Sequence, residues 1–202
     1  MTRILVVNSA ATGETSVSKT LIKGFIETVR ANDPAASVVT RDVGHEPLPH
    51  LTAASLAGVR GQPSTDAERA ARATSDALIA ELRAADLIVI GAPMYNFGIA
   101  STLKAWFDHV LRAGETFRYT AAGPEGLLTG KRAIVVETRG GLYSEGPAAV
   151  MDAQEPHLRT LLGFVGITDI TFVRAERLGM GPEAGAAAIN AANDALKAFI
   201  AA

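Results

Sequence analysis

Hydrophobic residues along the chain gather into five short runs that are rich in β-branched side chains. At least three of these runs are apolar throughout, which is the pattern of a strand buried on both faces of a sheet. We therefore predict five strands: ILVV (4–7), SVVTR (37–41), LIVI (87–90), AIVVET (133–138) and DITFV (169–173).

The longer segments between these runs have the spacing of amphipathic helices. Thr65 and Glu68 stand in the register of a capping box at the start of one segment, and Pro182 is a favourable first-turn residue in the last. The predicted helices cover about residues 16–31, 65–85 and 148–164, a stretch after Gly98, and the segment after Pro182.

Strand and helix alternate five times, which predicts an α/β fold with a doubly wound parallel sheet. Five strands fit the flavodoxin-like order 2-1-3-4-5 better than a six-stranded dinucleotide fold. We expect residues 1–202 to form a single domain. The connection 43–64 is irregular and rich in Pro and Gly, as lids often are.

Charge and composition narrow the classes of partner and chemistry. The 202 residues carry a net charge of −2 and show no basic stripe, so neither nucleic acid nor an anionic membrane is an expected partner. No apolar run reaches the length of a signal peptide or membrane span, which favours a cytoplasmic location. The absence of cysteine excludes thiol and iron–sulfur chemistry, and the four histidines lack metal-ligand spacing. Any redox chemistry would therefore use a borrowed organic cofactor.

Three unusual loops follow predicted strands 1, 3 and 4, at residues 8–19, 92–99 and 138–147. Ligands of open α/β sheets bind at the carboxyl ends of the strands, where the strand order reverses. For the order 2-1-3-4-5 this crevice lies between strands 1 and 3. The fold would therefore bring the three loops together, which is stronger evidence for a site than any one motif.

The first loop is rich in hydroxyl side chains and leads directly into a helix. Hydroxyls and free backbone N–H groups at a helix N-terminus form an anion site. The loop has neither a Walker sequence nor the GxGxxG of dinucleotide folds. It favours a phosphate monoester, and the alternative is that the hydroxyls only cap the helix. The residues concerned are Ser9, Thr12, Thr15, Ser16 and Ser18, beside Gly13.

The second and third loops suit a flat ring. Met94, Tyr95 and Phe97 supply a flat apolar surface, while Asn96 offers polar atoms near the edge of a ring. In the loop 138–141, glycines would allow backbone amides to approach a flat ligand closely. The alternatives are a loop packed against the next helix and a plain tight turn. Phosphate at one end and a polar-edged ring at the other together describe a mononucleotide flavin.

Several motifs resemble the FMN-dependent NADH azoreductases, also described as NADH:quinone oxidoreductases, of the flavodoxin-like superfamily. They span well over half the chain in the expected order. The motifs are APMYNF (92–97), LKAWFD (103–108), GETFRYT (114–120), GPEGLLTGKRA (123–133), RGG (139–141) and LGFVGITDI (162–170).

The resemblance implies bound FMN and assigns residues to its parts. The family usually has a serine where this chain has Ala10, and Ser9 is the candidate to replace it; a second usual serine is Thr138 here. The implied contacts are Ser16, Val17 and Ser18 with the phosphate, Met94, Tyr95, Asn96 and Phe97 with the ring and ribityl chain, and Thr138, Arg139, Gly140 and Gly141 with the pyrimidine edge.

The resemblance also implies a homodimer with its active site at the subunit interface, bordered by Arg60 and Tyr119. NADH or NADPH would give a hydride to the flavin, and a quinone or azo compound would then take two electrons in a ping-pong order. No side chain need act as a nucleophile, because the cofactor carries the chemistry. The alternatives are a flavodoxin-type electron carrier, disfavoured by the small net charge, and a flavin-binding module without turnover.

Overall fold

A computed structural model describes residues 2–201 and contains one five-stranded parallel sheet in that range. In chain order the strands are β1 (Arg3–Asn8), β2 (Ser37–Asp42), β3 (Leu87–Pro93), β4 (Phe117–Thr120), β5 (Gly123–Gly126), β6 (Arg132–Thr138) and β7 (Asp169–Ala175). The order in the sheet is β2-β1-β3-β6-β7, which corresponds to 2-1-3-4-5 when only the sheet strands are numbered along the chain. The predicted five-stranded parallel sheet is therefore confirmed.

The helices lie where the spacing predicts them, with two differences. A short helix, α2 (Leu56–Arg60), occupies part of the connection that the sequence marks as irregular. The predicted helix over 148–164 is divided, because the Asp152 carboxylate accepts the N–H groups of Gln154 and Glu155 and starts a new helix there. The α-helices are α1 (Val17–Asn32), α2 (Leu56–Arg60), α3 (Asp66–Ala84), α4 (Ser101–Val110), α5 (Glu155–Phe164) and α6 (Pro182–Ala201), with 3₁₀ turns at Gly13–Thr15 and Pro147–Met151.

Alternate residues of each central strand face opposite sides of the sheet, and each side carries its own apolar core. Leu5 and Val7 of β1 pack with α3, α4 and α5, whereas Ile4 and Val6 pack with α1 and α6. Helices therefore cover both faces, which explains why the central strands are apolar throughout. None of the helices between residues 2 and 201 is long and apolar enough to cross a membrane.

Strands β4 and β5 form an antiparallel hairpin that the sequence does not predict. The hairpin packs on the end of α5 and the turn that follows it. The ring centroids of Phe117 and Phe164 are 4.6 Å apart, and a Cβ atom added to Gly126 would lie 2.1 Å from the backbone nitrogen of Gly166. The segment between α4 and β6 is therefore ordered structure and not a plain linker.

A tight backbone contact holds the loop after β1 in place. A Cβ atom added to Gly44 would lie 2.2 Å from the carbonyl oxygen of Ala10. We expect Gly44→Ala to lower the free energy of unfolding by roughly 1–3 kcal/mol, because the backbone of one loop must move. Urea unfolding measures this change.

Gly24→Ala is the matched control, since no atom lies within 4 Å of its added Cβ in α1. Alanine there should raise the stability by up to about 1 kcal/mol through helix propensity. Equal stability of Gly44→Ala and the wild type would show that the contact with Ala10 does not constrain the loop.

Candidate functional site

The three loops meet at the carboxyl edge of the sheet. The backbone N–H of Ala11 donates to the Tyr95 hydroxyl at 2.9 Å, which joins the first loop to the second. The N–H of Met94 donates to the Thr138 carbonyl at 2.9 Å, which joins the second loop to the third. We call the surface formed by residues 9–18, 94–97 and 138–144 the cradle.

Hydroxyls and amides at the start of α1 form one end of the cradle. The Ser16 hydroxyl caps the helix by accepting the N–H of Lys19, and it lies 3.0 Å from the Ser18 hydroxyl. The N–H groups of Val17 and Ser18 belong to the first turn, which has no intrahelical acceptors. The Asp42 carboxylate lies 2.6 Å from the Lys19 ammonium and raises its pKa, so this cation is already paired. An anion here would be held mainly by hydroxyls and amides.

Ser9 is directed into the interior. Its hydroxyl donates to the Gly91 carbonyl at 2.7 Å, and the residue is 1% exposed. No hydrogen bond between residues 2 and 201 joins it to Ser16 or Ser18. The structure thus gives the Ser9 hydroxyl a role between β1 and β3, and Ala10 beside it is buried as well.

The second loop is a two-residue turn with a strained aromatic residue. Tyr95 and Gly98 exchange backbone hydrogen bonds of 3.0 and 3.1 Å around the turn. Asn96 and Phe97 both have positive φ, 47° and 71°, which asparagine tolerates and phenylalanine rarely adopts. Such strain costs about 1–3 kcal/mol and is concentrated at functional sites. Phe97 is 40% exposed at the cradle in this conformation.

Unpaired backbone donors line the second and third loops. The N–H groups of Asn96, Phe97, Gly140 and Gly141 donate to no acceptor in the described part of the chain. Gly140 is exposed, and an added Cβ there would meet no atom within 4 Å, so no other segment packs on that side of its backbone. Free N–H groups of this kind are suited to pair with carbonyl and ring nitrogen acceptors.

Arg139 does not present its charge to the cradle. Its guanidinium is buried, its backbone N–H donates to Ala175, and its carbonyl accepts from Leu178. The side chain therefore supports the loop from the interior and does not cover the neighbouring glycine amides. Its polar partners are Gln154 at 2.9 Å, Glu137 at 2.7 Å, Asp152 at 3.0 Å and Glu176 at 3.1 Å.

The lack of a side chain at position 141 has a structural reason that the sequence does not reveal. A Cβ atom there would lie 3.0 Å from the ring of Tyr143, so this ring rests directly on the glycine. The Tyr143 ring also meets the Phe97 ring edge-on, with centroids 5.9 Å apart. Tyr143 therefore connects the glycine loop to the aromatic wall.

Arg60 and Tyr119 lie together in a separate groove of about 510 Å³. Its lining residues include Arg72, Arg112 and Phe117 but no residue of the cradle. The Arg60 guanidinium donates to the Leu111 carbonyl at 2.8 Å, and Tyr119 is 73% exposed. The structure thus brings these two residues near each other but not to the cradle of the same chain.

Glu176, Gln154 and Tyr143 were not singled out by the sequence. Glu176 directly follows β7, so the rule that sites lie at carboxyl ends of strands was the only signal for it. In the described part of the chain, no cluster of His, Cys, Asp or Glu could hold a metal ion.

Residues 2–200 match the family model described as flavodoxin-like fold. The chain is 60% identical over 192 residues to an FMN-dependent NADH:quinone oxidoreductase of Hyphomonas neptunium, covering 95% of this chain and 92% of the relative. It is similar to the crystal structure of an azoreductase from Bacillus anthracis, with a TM-score of 0.87, 31% identity and 97% of both chains covered. An FMN-dependent NADH-azoreductase of the same species, solved in complex with FMN, shares the fold at 24% identity, with a TM-score of 0.86 and coverage of 98% of this chain and 99% of that one.

The carboxyl group of Glu137 is buried beneath the cradle. Burial raises its pKa to about 8, although the neighbouring Arg139 opposes this shift. One of its oxygens, Oε1, has no hydrogen-bond partner between residues 2 and 201. We infer that burial prevails, because three carboxyl groups share the guanidinium of Arg139 and one of them is best accommodated in the neutral form.

We expect the folded protein to lose stability between pH 7 and 8 because of Glu137. The folded state retains a proton that the unfolded chain releases near pH 4.5, so stability falls as the pH rises through about 8. The free energy of unfolding should drop by about 1 kcal/mol across this unit of pH. Urea unfolding at both pH values measures it. The Glu137→Gln protein, which cannot ionise, should lack this drop, and an equal drop in both proteins would contradict the assignment.

Proposed function

The chain belongs to the flavodoxin-like family of FMN-dependent NADH:quinone oxidoreductases, and we propose that it binds FMN in the cradle and uses NADH to reduce quinones and azo compounds. The observation that carries the proposal is the convergence of three different loops at one edge of the sheet. One offers hydroxyls and helix amides, one an exposed aromatic wall, and one free glycine amides. A phosphate, a flat ring and a polar ring edge are their natural complements.

The described groups fit the parts of FMN. Backbone donors and hydroxyls suit the phosphate, and the open amides suit the pyrimidine edge of the ring. When bound, FMN would carry two electrons from NADH to the acceptor, with the hydride coming from NADH. The proposed contacts are Ser16, Val17 and Ser18 with the phosphate, Met94, Tyr95, Asn96 and Phe97 with the ring, and Thr138, Gly140 and Gly141 with its pyrimidine edge. Ser9 and Arg139 would support these contacts from the interior.

The backbone N–H groups of Asn96 and Gly140 would stabilise negative charge on the flavin ring. Donors fixed by the fold need no reorganisation when charge develops, which is why such groups are effective in enzymes. The turn at Asn96 and the Tyr143 ring packed on Gly141 fix the conformation of these loops through contacts within the chain itself. The role proposed for this chain is therefore to bind and orient, with no nucleophilic side chain.

The proposal extends to a homodimer with its active site at the subunit interface. Arg60 and Tyr119 line a groove that shares no residue with the cradle, so a second copy is the natural means of bringing them to a flavin. Donor and acceptor would compete for the same flat surface, which supports a ping-pong order. NADPH is an alternative donor, because Arg60 could pair with its 2′-phosphate. A cytoplasmic location remains part of the same proposal.

Two other functions would be compatible with the same cradle. A flavodoxin-type electron carrier would dock a protein partner through a strongly acidic surface, and a net charge of −2 does not favour this. A flavin-binding module without turnover would hold FMN but would not react with a dinucleotide. Reactivity of the bound flavin therefore separates all three.

The first test is an anaerobic one on the full chain loaded with FMN. Adding NADH should bleach the yellow band, and a quinone or azo dye should restore it. NADPH added in parallel gives the donor preference. Bound FMN that stays yellow would favour the carrier or the binding module, and a chain that never holds FMN would refute the proposal.

Asn96→Ala should weaken FMN binding roughly fivefold or slow its reduction by NADH, because the side-chain amide is lost from the edge of the ring. Alanine also adds strain at the positive φ of 47°. Fluorescence titration of FMN and stopped-flow absorbance measure the two effects.

Asn96→Gly separates the side chain from the turn, since glycine adopts the same backbone without strain. We expect Asn96→Gly to show the part of the loss in FMN affinity or reduction rate that is due to the side-chain amide alone. If Asn96→Gly binds and reduces FMN as the wild type does, the Asn96 side chain has no role in the site.

A further inference from the structure

A single carboxylate beyond the predicted site organises the second half of the glycine loop. Glu176 directly follows β7, and its Oε1 accepts the backbone N–H of Tyr143 at 2.8 Å and that of Ser144 at 3.0 Å. Its Oε2 accepts the Ser144 hydroxyl. The carboxylate thus gathers three donors from two consecutive residues of the loop after β6.

The same carboxylate is anchored from behind. The Arg139 guanidinium donates to Glu176 Oε1 at 3.1 Å and also to Glu137 Oε2 at 2.7 Å, near the end of β6. Its Nε donates to Gln154, whose own amide donates to the Ala92 carbonyl at 2.7 Å. Glu176 is therefore connected through one buried guanidinium to β6, to the start of α5 and to β3.

Glu176 stays ionised in this position. Its side chain is only 10% exposed, and burial would by itself raise its pKa. The hydrogen bonds from Ser144, Tyr143 and Arg139 outweigh burial and lower the pKa below its usual value. Charge-assisted bonds of this kind are stronger than neutral ones, so the carboxylate is a firm attachment point.

The two halves of the loop are held differently. Backbone bonds from Arg177 to the Gly141 carbonyl and from Gly179 to the Gly140 carbonyl, each 2.9 Å, fix the first half. For the second half, the N–H groups of Tyr143 and Ser144 have no acceptor between residues 2 and 201 other than Glu176. The position of the Tyr143 backbone therefore depends on one side chain.

Tyr143 transmits this constraint to the cradle. Its ring lies on Gly141 and meets the exposed Phe97 ring edge-on, at an interplanar angle of 81°. Displacing the Tyr143 backbone would remove the cover of Gly141 and the lateral support of Phe97. The glycine amide and the aromatic wall thus share one support.

We propose that Glu176 is a positioning residue of the flavin site: anchored by Arg139, it holds Tyr143 so that the Gly141 amide and the Phe97 ring keep one arrangement toward the cofactor. This inference rests on the proposed function, because the arrangement matters only where FMN binds in the cradle. Glu176 itself need not touch FMN, since it acts through Tyr143.

The test compares Glu176→Gln with the wild type in FMN affinity and in hydrogen exchange of the apoprotein. Glutamine keeps the size of the side chain but replaces one acceptor oxygen with a donor. We expect FMN binding to weaken roughly tenfold or more, since the lost bonds involve a charged group. Amide exchange over residues 140–146 should accelerate without added cofactor. Glu183→Gln, a carboxyl group exposed on α6, is the matched control and should change neither quantity.

A double-mutant cycle with Tyr143→Ala tests the route of the effect. If Glu176 acts through Tyr143, the double variant should bind FMN no more weakly than Tyr143→Ala alone. If the losses of FMN affinity in the two single variants instead multiply in the double variant, the positioning role is overturned. Wild-type FMN affinity in Glu176→Gln would overturn it as well. Should Glu176→Gln fail to fold, Ser144→Ala removes one exposed donor to the same carboxylate and should show smaller losses in the same direction; unchanged exchange and affinity would overturn the proposal. Failure of the wild type itself to bind FMN would instead refute the proposed function, and this inference with it.

Discussion

The carboxyl edge of the sheet depends on one buried guanidinium. Arg139 has no exposed side-chain surface and lies between carboxyl groups of Glu137, Asp152 and Glu176. A buried charge is tolerated only when it is paired, and removing one partner of such a pair typically costs about 3–5 kcal/mol. These groups come from the end of β6, the turn before α5 and the turn after β7. One ion cluster therefore sets the relative positions of three chain segments that surround the site.

The same edge stores strain at its surface. Phe97 has a φ of 71° in a turn where glycine would be relaxed, and its ring remains partly exposed. A sequence selected only for stability would not place a bulky residue there. The cost is offset because β3 is fully buried and because the Phe97 carbonyl accepts the Ala153 N–H at 3.0 Å. The rigid interior thus maintains an unfavourable surface conformation, which is a common feature of binding sites.

The sheet could be predicted because strands buried on both faces leave a continuous apolar signal. The hairpin of β4 and β5 could not, because its second strand, Gly-Pro-Glu-Gly, has no alternating pattern. The hairpin is stabilised by contacts far along the chain, between Gly126 of β5 and Gly166 and between Phe117 of β4 and Phe164. The division of the helix over 148–164 depends on one carboxylate, Asp152, which accepts two backbone N–H groups just before α5. Long apolar runs report on layers of the fold, whereas single side chains decide where irregular segments turn.

For the candidate site, too, the sequence predicts where the backbone lies but not where single side chains point. Convergence of the three loops follows from topology alone, so the backbone positions of residues 94–97 and 138–141 were accessible from the sequence. The direction of each side chain was not. Ser9 follows β1, and its hydroxyl points inward to the Gly91 carbonyl. The Arg139 side chain points inward because carboxyl groups distant in sequence, such as that of Glu176, lie there and accept its N–H groups. A motif such as RGG therefore mixes two roles: its arginine stabilises the interior, and its glycines leave backbone amides exposed at the edge of the sheet.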